Sequence, residues 1–359
     1  MAVIDREAKY RRKILVRSAN WVGDAVMTTP VIRAVKKNFP SSQLTLLAKP
    51  WVAPVFDHSP YVDRVMTYKD SGRHKKGIGT LRLAADLRRM EFDLSILMQN
   101  AFEAGLIIFL AGIPERLGYN TDGRGLLLNR GIPMNPGYKE RHLIDYYRRI
   151  VKKAGLIDDG PHLDLFLTDE ERVGAGQILA KHGLKKKDGI LGINPGATGG
   201  SAKRWFPERF AELAERLSDA YGIKVVLFGG PADRKLGEYI RLLSKEKCVN
   251  LAGKTTLREA FALISQCLLF VTNDSGLMHA ASALDVNQLA LIGPTDHRAT
   301  APFGLKSRLI RLPVACSPCR NKECPSDHRC MKRIGVDIVF EKACSIMDKS
   351  LKQSGGCTV

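Results

Sequence analysis

The sequence predicts an α/β protein of two halves, each a parallel sheet covered by helices. Three observations lead there. Short apolar runs alternate with segments of helical periodicity along most of the chain. Polar loops, several of them rich in glycine, follow these runs. A turn-rich stretch, Leu156 to His162, separates two such series. At 359 residues the chain suits two domains. The first is expected at 1–157 and the second at 165–359, with a linker at 158–164.

In the first half the run KILVR, Lys13 to Arg17, is followed by the polar loop Ser18 to Asp24 and a helical pattern from Ala25 to Phe39. Further strands are expected at Leu44 to Ala48, Val62 to Tyr68 and Leu94 to Met98. Helices fall at Pro54 to Asp57, Thr80 to Met90 and Ala101 to Leu110. The segment His142 to Ala154 gathers Leu143, Tyr146, Tyr147, Ile150 and Val151 on one face, and Gly155 stops it. In the second half strands are read at Ile190 to Asn194, Lys224 to Phe228, Val249 to Leu251, Leu268 to Thr272 and Gln288 to Ile292. Helices are read at Pro207 to Tyr221, Arg234 to Ser244, Leu257 to Gln266, after Ser275, and at Asp337 to Leu351. The last of these is free to pack on either half.

The net charge of +19 is uneven. Residues 1–157 carry 27 Lys and Arg against 14 Asp and Glu, and the rest carry 29 against 23. The first half is therefore expected to meet something anionic: nucleic acid, a membrane face or a phosphorylated substrate. No aromatic RNA-binding motif and no zinc-finger His pair is present, which disfavours nucleic acid. The N-terminus lacks an apolar signal core, and the longest apolar run, Ala104 to Ile113, is too short for a bilayer. A cytoplasmic protein is expected.

Four loops offer chemistry. Asp24, in Trp21-Val22-Gly23-Asp24, is placed to accept a proton from a substrate hydroxyl, although an Asp before a helix also serves as its cap. In Asn194 to Trp205 the glycines, Thr198, Ser201 and Lys203 suit a diphosphate, without the spacing of a Walker loop. Asp233, after Phe228-Gly229-Gly230, suits a ribose hydroxyl or an ordinary surface turn. Val271 to Leu284 reads as strand, tight turn and helix N-terminus, an anion site with Asp274 beside it or simply a capped turn. No Asp-x-Asp clamp exists, so any diphosphate is expected to be neutralised by protein groups. Cys316, Cys319, Cys324 and Cys330 form a separate segment. Their short central spacing is unlike paired zinc knuckles, and reduced thiols anchoring a loop are the preferred reading over structural zinc.

These residues carry a resemblance that covers nearly the whole chain. ILVRSANWVGDAVMTTP, PGATGGSAKRWFPERFAELA, VVLFGGPAD, NLAGKTTLREA, VTNDSGLMHAASAL and LIGPTDHRATAP, in this order, resemble the ADP-heptose:lipopolysaccharide heptosyltransferases of glycosyltransferase family 9, most of all the heptosyltransferase II branch. The resemblance implies a GT-B fold, two Rossmann-like domains facing across a cleft. The acceptor would bind the basic N-terminal half and ADP-heptose the C-terminal half. It further implies inverting transfer to a heptose of the phosphorylated inner core on lipid A, at the cytoplasmic face of the inner membrane, by a peripheral enzyme with no metal cofactor.

By position, the resemblance makes Asp24 the base. Lys203, aided by Thr198, would neutralise the departing ADP. Asp274 would bind heptose hydroxyls, Ser275, Gly276, Leu277 and Met278 would give backbone N–H groups to the diphosphate, His279 would add a positive or hydrogen-bond-donating edge, and Asp233 would bind the ribose. The competing expectations are a family member with another acceptor, a nucleotide-sugar epimerase on the same scaffold, and a non-enzymatic basic binding protein.

Overall fold

Ile14, Leu15 and Val16 are wholly buried, as a run of branched apolar residues covered on both faces should be. They lie in β1 (Lys13–Arg17), an inner strand of the first of two sheets. The structure is a computed structural model that describes residue 4 and residues 12–75, 77–134, 137, 141–185, 189–319 and 321–354. The basic leader at 5–11 lies outside the described residues. The chain divides into two units, Met1–Phe166 and Leu167–Val359.

In the first unit β1 is followed by α1 (Val22–Met27), α2 (Thr29–Asn38), β2 (Gln43–Ala48), β3 (Arg64–Thr67), α3 (Ile78–Arg88), β4 (Leu94–Leu97), α4 (Phe102–Leu110), β5 (Glu115–Tyr119), β6 (Arg130–Ile132) and α5 (Leu143–Lys153). All strands pair in parallel, in the order β3-β2-β1-β4-β5-β6. The single helix expected from Ala25 to Phe39 is two. Pro30, which lacks an N–H, sits in the first turn of α2, the one place where a helix tolerates it. The chain accordingly restarts at Thr28-Thr29. β5 and β6 were not legible, because ERLGY and RGI are polar and glycine-containing. Pairing selects them: Leu117 lies against Ile96 and Tyr119 against Ile132.

The expected linker is no tether. Arg33 of α2 reaches across it, with Nε 2.6 Å from Asp159 Oδ2, Nη1 donating to the His162 carbonyl at 2.9 Å, and a further bond to the Asp164 carboxylate. Leu163 and Leu165 are buried. The segment 158–164 thus belongs to the first unit, together with Leu165 and Phe166, and the division follows Phe166.

The second unit contains α6 (Asp169–Lys181), β7 (Ile190–Asn194), α7 (Pro207–Tyr221), β8 (Lys224–Leu227), α8 (Arg234–Leu243), β9 (Cys248–Asn250), α9 (Leu257–Ile264), β10 (Leu269–Asn273), α10 (Gly276–Ala283), β11 (Gln288–Leu291), α11 (His297–Thr300), β12 (Ser307–Ile310), α12 (Arg329–Lys332) and α13 (Val336–Ser354). Its strand order, β12-β11-β10-β7-β8-β9, repeats that of the first unit. α6 went unread because its apolar residues are sparse. A capping box, in which Thr168 accepts from the Glu171 N–H and Glu171 from the Thr168 N–H, starts it. α13 packs on this unit: Val336, Val339, Ala343, Ile346 and Met347 share a core with Leu191, Val225 and Leu269.

In each sheet the first and fourth strands of the unit are neighbours, and the connections depart from them in opposite directions. Such a switch point opens a crevice at the carboxyl ends of those two strands. The loops after β1 and β4, and after β7 and β10, therefore hold the candidate sites.

Candidate functional site

At the switch point of the second unit, Asn194 ends β7 and Asn273 ends β10, and both are buried. Asn273 Oδ1 accepts the Trp205 N–H at 3.1 Å, and its Nδ2 donates to the Pro195 carbonyl at 2.8 Å. Asn194 Nδ2 donates to Thr272 Oγ1 at 3.0 Å and to Ser275 Oγ at 2.8 Å. The loop after β7 and the turn after β10 are thereby fixed to one another. A buried amide satisfied on both sides is costly to move.

Onto this frame the loop places Lys203, whose Nζ lies 2.6 Å from Asp274 Oδ2. Asp274 is only 7 % exposed, so its charge is compensated where water scarcely reaches. An ammonium has three N–H groups, and one goes to Asp274.

The helix N-terminus beside this pair is unspent. Ser275 is the N-cap of α10 but makes no side-chain cap bond, its hydroxyl being engaged by Asn194 instead. Met278 is buried against Ala290 and Ile292, and Leu277 packs on the core formed by Ile264 and Phe270. The first-turn N–H groups of Gly276, Leu277 and Met278 have no acceptor within the helix. A capped turn was the competing reading of this stretch, and neither Ser275 nor Asp274 caps it. His279 is buried in the same turn. Thr198 is exposed in the phosphate loop.

Asp233 is built into the loops rather than offered to solvent. Its Oδ2 accepts the Gly230 N–H at 3.1 Å, and Arg204 Nη2 lies 3.6 Å from Oδ1. A Cβ added to Gly196 would stand 2.5 Å from the Asp233 carboxyl carbon, and one added to Gly229 would stand 2.7 Å from its Cβ. These glycines let the loops after β7 and β8 close on one carboxylate. Gly200, at φ +122°, faces the Lys322 carbonyl, which would be 2.1 Å from a Cβ.

In the first unit Asp24 is the third residue of α1, whose N-cap is Trp21, so it is not the cap that its position suggested. Burial, and then the charge of Asp24, push the phenol of Tyr147 on α5 well above its ordinary value. Asp24 thus faces a phenol that stays protonated. At the end of β4, Arg124 is wholly buried and donates to the carbonyls of Tyr119, at 2.8 Å, and Gln99, and to Asn100 Oδ1 at 2.9 Å. Burial lowers its pKa to about 10, which leaves it cationic at neutral pH. Asn100 in turn donates to the Tyr146 hydroxyl at 2.6 Å, and the Tyr146 ring stacks on Tyr119 at 4.4 Å.

Sequence reasoning missed Arg124, Asn100, Asn194 and Asn273. For the two Asn residues of the second unit a signal existed: each is the polar residue that ends an apolar strand pattern, in GIN-PG and VTN-DSG. Arg124 lay in a stretch with no recognisable pattern.

The family model for glycosyltransferase family 9 (heptosyltransferase) matches residues 80–329. The chain belongs to glycosyltransferase family 9. This family 9 enzyme is 35% identical over 312 residues to lipopolysaccharide heptosyltransferase 2 of Salmonella typhimurium, covering 84% of this chain and 88% of the relative. It is 36% identical over 312 residues to lipooligosaccharide heptosyltransferase 2 of Haemophilus influenzae, covering 83% and 88%. Among solved structures it is similar to E. coli ADP-heptose lps heptosyltransferase II, with a TM-score of 0.79 at 28% identity over 94% of this chain and 99% of that one. The fold also matches a family 9 protein from Veillonella parvula, with a TM-score of 0.86 at 23% identity, covering 94% and 98%. The matched stretch contains Thr198, Lys203, Asp233 and Asp274 to His279, whereas Asp24 lies before it.

Proposed function

We propose that this family 9 enzyme transfers heptose from ADP-heptose to a heptose of the lipopolysaccharide inner core, with inversion and with no metal at the diphosphate. The observation that carries the reading is the donor site of the second unit: a lysine on a buried aspartate beside an unspent helix N-terminus. An ADP-sugar matches it by charge. Lys203 and the N–H groups of Gly276, Leu277 and Met278 receive the diphosphate, and Asp274 keeps acceptor capacity for heptose hydroxyls. Thr198 and His279 add donors at its margin. Asp233 holds the loop rather than the ribose.

In this mechanism Asp24 accepts the proton of the acceptor hydroxyl as its oxygen forms a bond to the anomeric carbon. The bond from that carbon to the ADP oxygen breaks on the opposite face, and the charge gathering on ADP is met by Lys203 and the helix N-terminus. Protonated Tyr147 beside Asp24 adds no competing negative charge.

The acceptor is lipid-linked, and the first unit has a surface suited to a bilayer. Leu126 is 96 % exposed and Ile78 70 %, and Leu81 and Phe102 are also exposed. Their elements adjoin: Thr80 Oγ1 donates to Glu103 Oε1 at 3.3 Å, and Arg124 packs on Gly105. Lys69, Arg73, Lys75 and Arg82 lie on the same elements and the loop before them, all exposed. Apolar tips with a basic surround suit an anionic leaflet. Among the described residues no helix is long and apolar enough to cross a membrane. A peripheral enzyme at the cytoplasmic face follows from this reading.

The deciding experiment measures ADP release from ADP-heptose with core acceptors truncated one sugar at a time, with chelator present. Release that requires a heptose-bearing acceptor and resists chelation is expected. Activity only on acceptors lacking heptose would assign another acceptor, and release without any acceptor would point to nucleotide-sugar rearrangement instead.

A further inference from the structure

α10 has a hydroxyl N-cap that could close its own N-terminus and does not. At Thr168 and Thr256, the N-caps of α6 and α9, the hydroxyl accepts the backbone N–H three residues on, each at 3.2 Å. Ser275 has the backbone for the same bond, extended at φ −150° and ψ 170°, yet its side chain makes no cap bond. The cause lies in a ring of side chains where β7 and β10 end.

The protons of that ring can be assigned. Thr272 has a single hydroxyl proton and gives it to the Asn273 carbonyl at 2.8 Å. Toward Asn194, 3.0 Å away, Thr272 Oγ1 must therefore accept, which fixes the Asn194 amide with Nδ2 facing the threonine. The same Nδ2 donates to Ser275 Oγ at 2.8 Å, so both of its protons are spent. Ser275 Oγ also lies 3.3 Å from Thr272 Oγ1, and with the threonine proton committed it is Ser275 that donates there. The ring is closed. Asn194 is 3 % exposed and Thr272 wholly buried, so water is a poor substitute for any of these bonds. A serine oxygen held in this way is withdrawn from the Leu277 and Met278 N–H groups, the two that an N-cap side chain serves.

On the reading of this turn as the seat of the ADP diphosphate, we propose that Asn194 is a positioning residue that holds α10 uncapped. It acts through Ser275: by engaging the hydroxyl at the strand ends, it reserves the first-turn N–H groups for phosphate oxygens. Without Asn194 the Ser275 oxygen can take the Met278 N–H, and a diphosphate must then displace an internal competitor. A cap bond of ordinary strength corresponds to roughly fivefold in an equilibrium constant. Lys203 and Asp274 answer the charge and hydroxyls of the donor, whereas Asn194 keeps the backbone donors unoccupied until the donor arrives.

A double-mutant cycle in the full chain tests this. Asn194→Ala is expected to weaken ADP binding roughly fivefold by titration calorimetry and to leave binding of adenosine, which lacks the diphosphate, unchanged. Asn194→Leu, similar in volume and unable to donate, should behave alike. In a Ser275→Ala background, where no cap can form, Asn194→Ala should cost less than about twofold. In the unliganded enzyme, amide exchange followed by NMR should slow at Leu277 or Met278 in Asn194→Ala and return to the parent rate in the double variant. Equal losses of ADP affinity in both backgrounds, or a parallel loss of adenosine binding, would make Asn194 a mere tie between two loops and overturn the proposal. First-turn exchange identical in parent and Asn194→Ala would overturn it as well. A parent enzyme that binds no ADP would instead remove the donor reading, and the exchange comparison, which needs no ligand, would still decide whether Asn194 holds the helix uncapped.

Discussion

Lys203 Nζ and Asp274 Oδ2, 71 residues apart in sequence, meet at 2.6 Å where β7 and β10 end side by side. The ion pair joins the phosphate loop to the donor turn, so each partner positions the other. Lys203→Ala removes the cation and leaves a buried carboxylate uncompensated. Affinity for ADP is expected to fall at least about tenfold, about 1.4 kcal/mol, by titration calorimetry. Lys203→Arg, which keeps the charge with a different shape, should recover part of it.

Asp24 should separate chemistry from donor binding. Asp24→Asn is expected to lower kcat by roughly 10²–10⁴, the usual worth of a general base, while ADP binds as before. Single-turnover transfer and calorimetry on the same preparation check both halves. Near-normal turnover would leave Asp24 as a first-turn carboxylate of α1 and nothing more.

Gly196 and Asp233 should be coupled. Gly196→Ala drives a methyl into the Asp233 carboxylate and is expected to weaken ADP binding. Asp233→Ala in the same chain opens that space, so the double variant should bind better than Gly196→Ala alone. Additive losses would show that the two residues do not share the contact.

Acid should loosen the first unit through the segment after α5. Lys37 holds the Asp159 carboxyl below its ordinary value, Arg33 assisting against burial. Burial works to raise Asp158, but Arg148 and Lys152 hold it below as well. Asp164 goes the other way, raised by burial despite Arg33. For Asp158 and Asp159 the folded pKa is depressed, so their stabilisation is present above the unfolded value of about 3.9 and is lost as pH falls through the folded value. Asp164 opposes this slope between its unfolded and its raised folded pKa, and above that it subtracts a constant amount. Arg33→Ala should flatten the acid limb of a urea-midpoint profile between about pH 5 and 2 and destabilise the chain at pH 7 by roughly 3–5 kcal/mol.

Vesicle binding should follow the exposed tips of the first unit. Leu126→Asp with Ile78→Asp is expected to reduce cosedimentation with anionic vesicles several-fold and to leave binding of ADP unchanged. Raising salt from 50 to 300 mM should weaken the parent's binding, because part of the attraction is electrostatic. Binding indifferent to both changes would remove the surface from the account.

The two series of strands and helices and the loops that end them were legible in the sequence, and Lys203 and Asp274 could be picked out there as polar residues of two such loops. Apolar periodicity and turn chemistry are local properties, and they write strands such as Ile14 to Val16 and the helix after Ser275 directly into the chain. What neighbours choose was not legible. β5 and β6 exist because Leu117 and Tyr119 find partners in β4 and β6, and Pro30 divides a pattern that periodicity alone runs together. Residues 158–164 look like a tether until Arg33, more than a hundred positions earlier, fastens them. The same applies at the donor site. Sequence named Lys203 and Asp274 separately, but only the parallel register of β7 and β10 brings them to hydrogen-bonding distance, turns the Ser275 hydroxyl to Asn194, and leaves the helix N-terminus open. An ion pair and an uncapped helix depend on distances between remote segments, and those distances are set by tertiary packing.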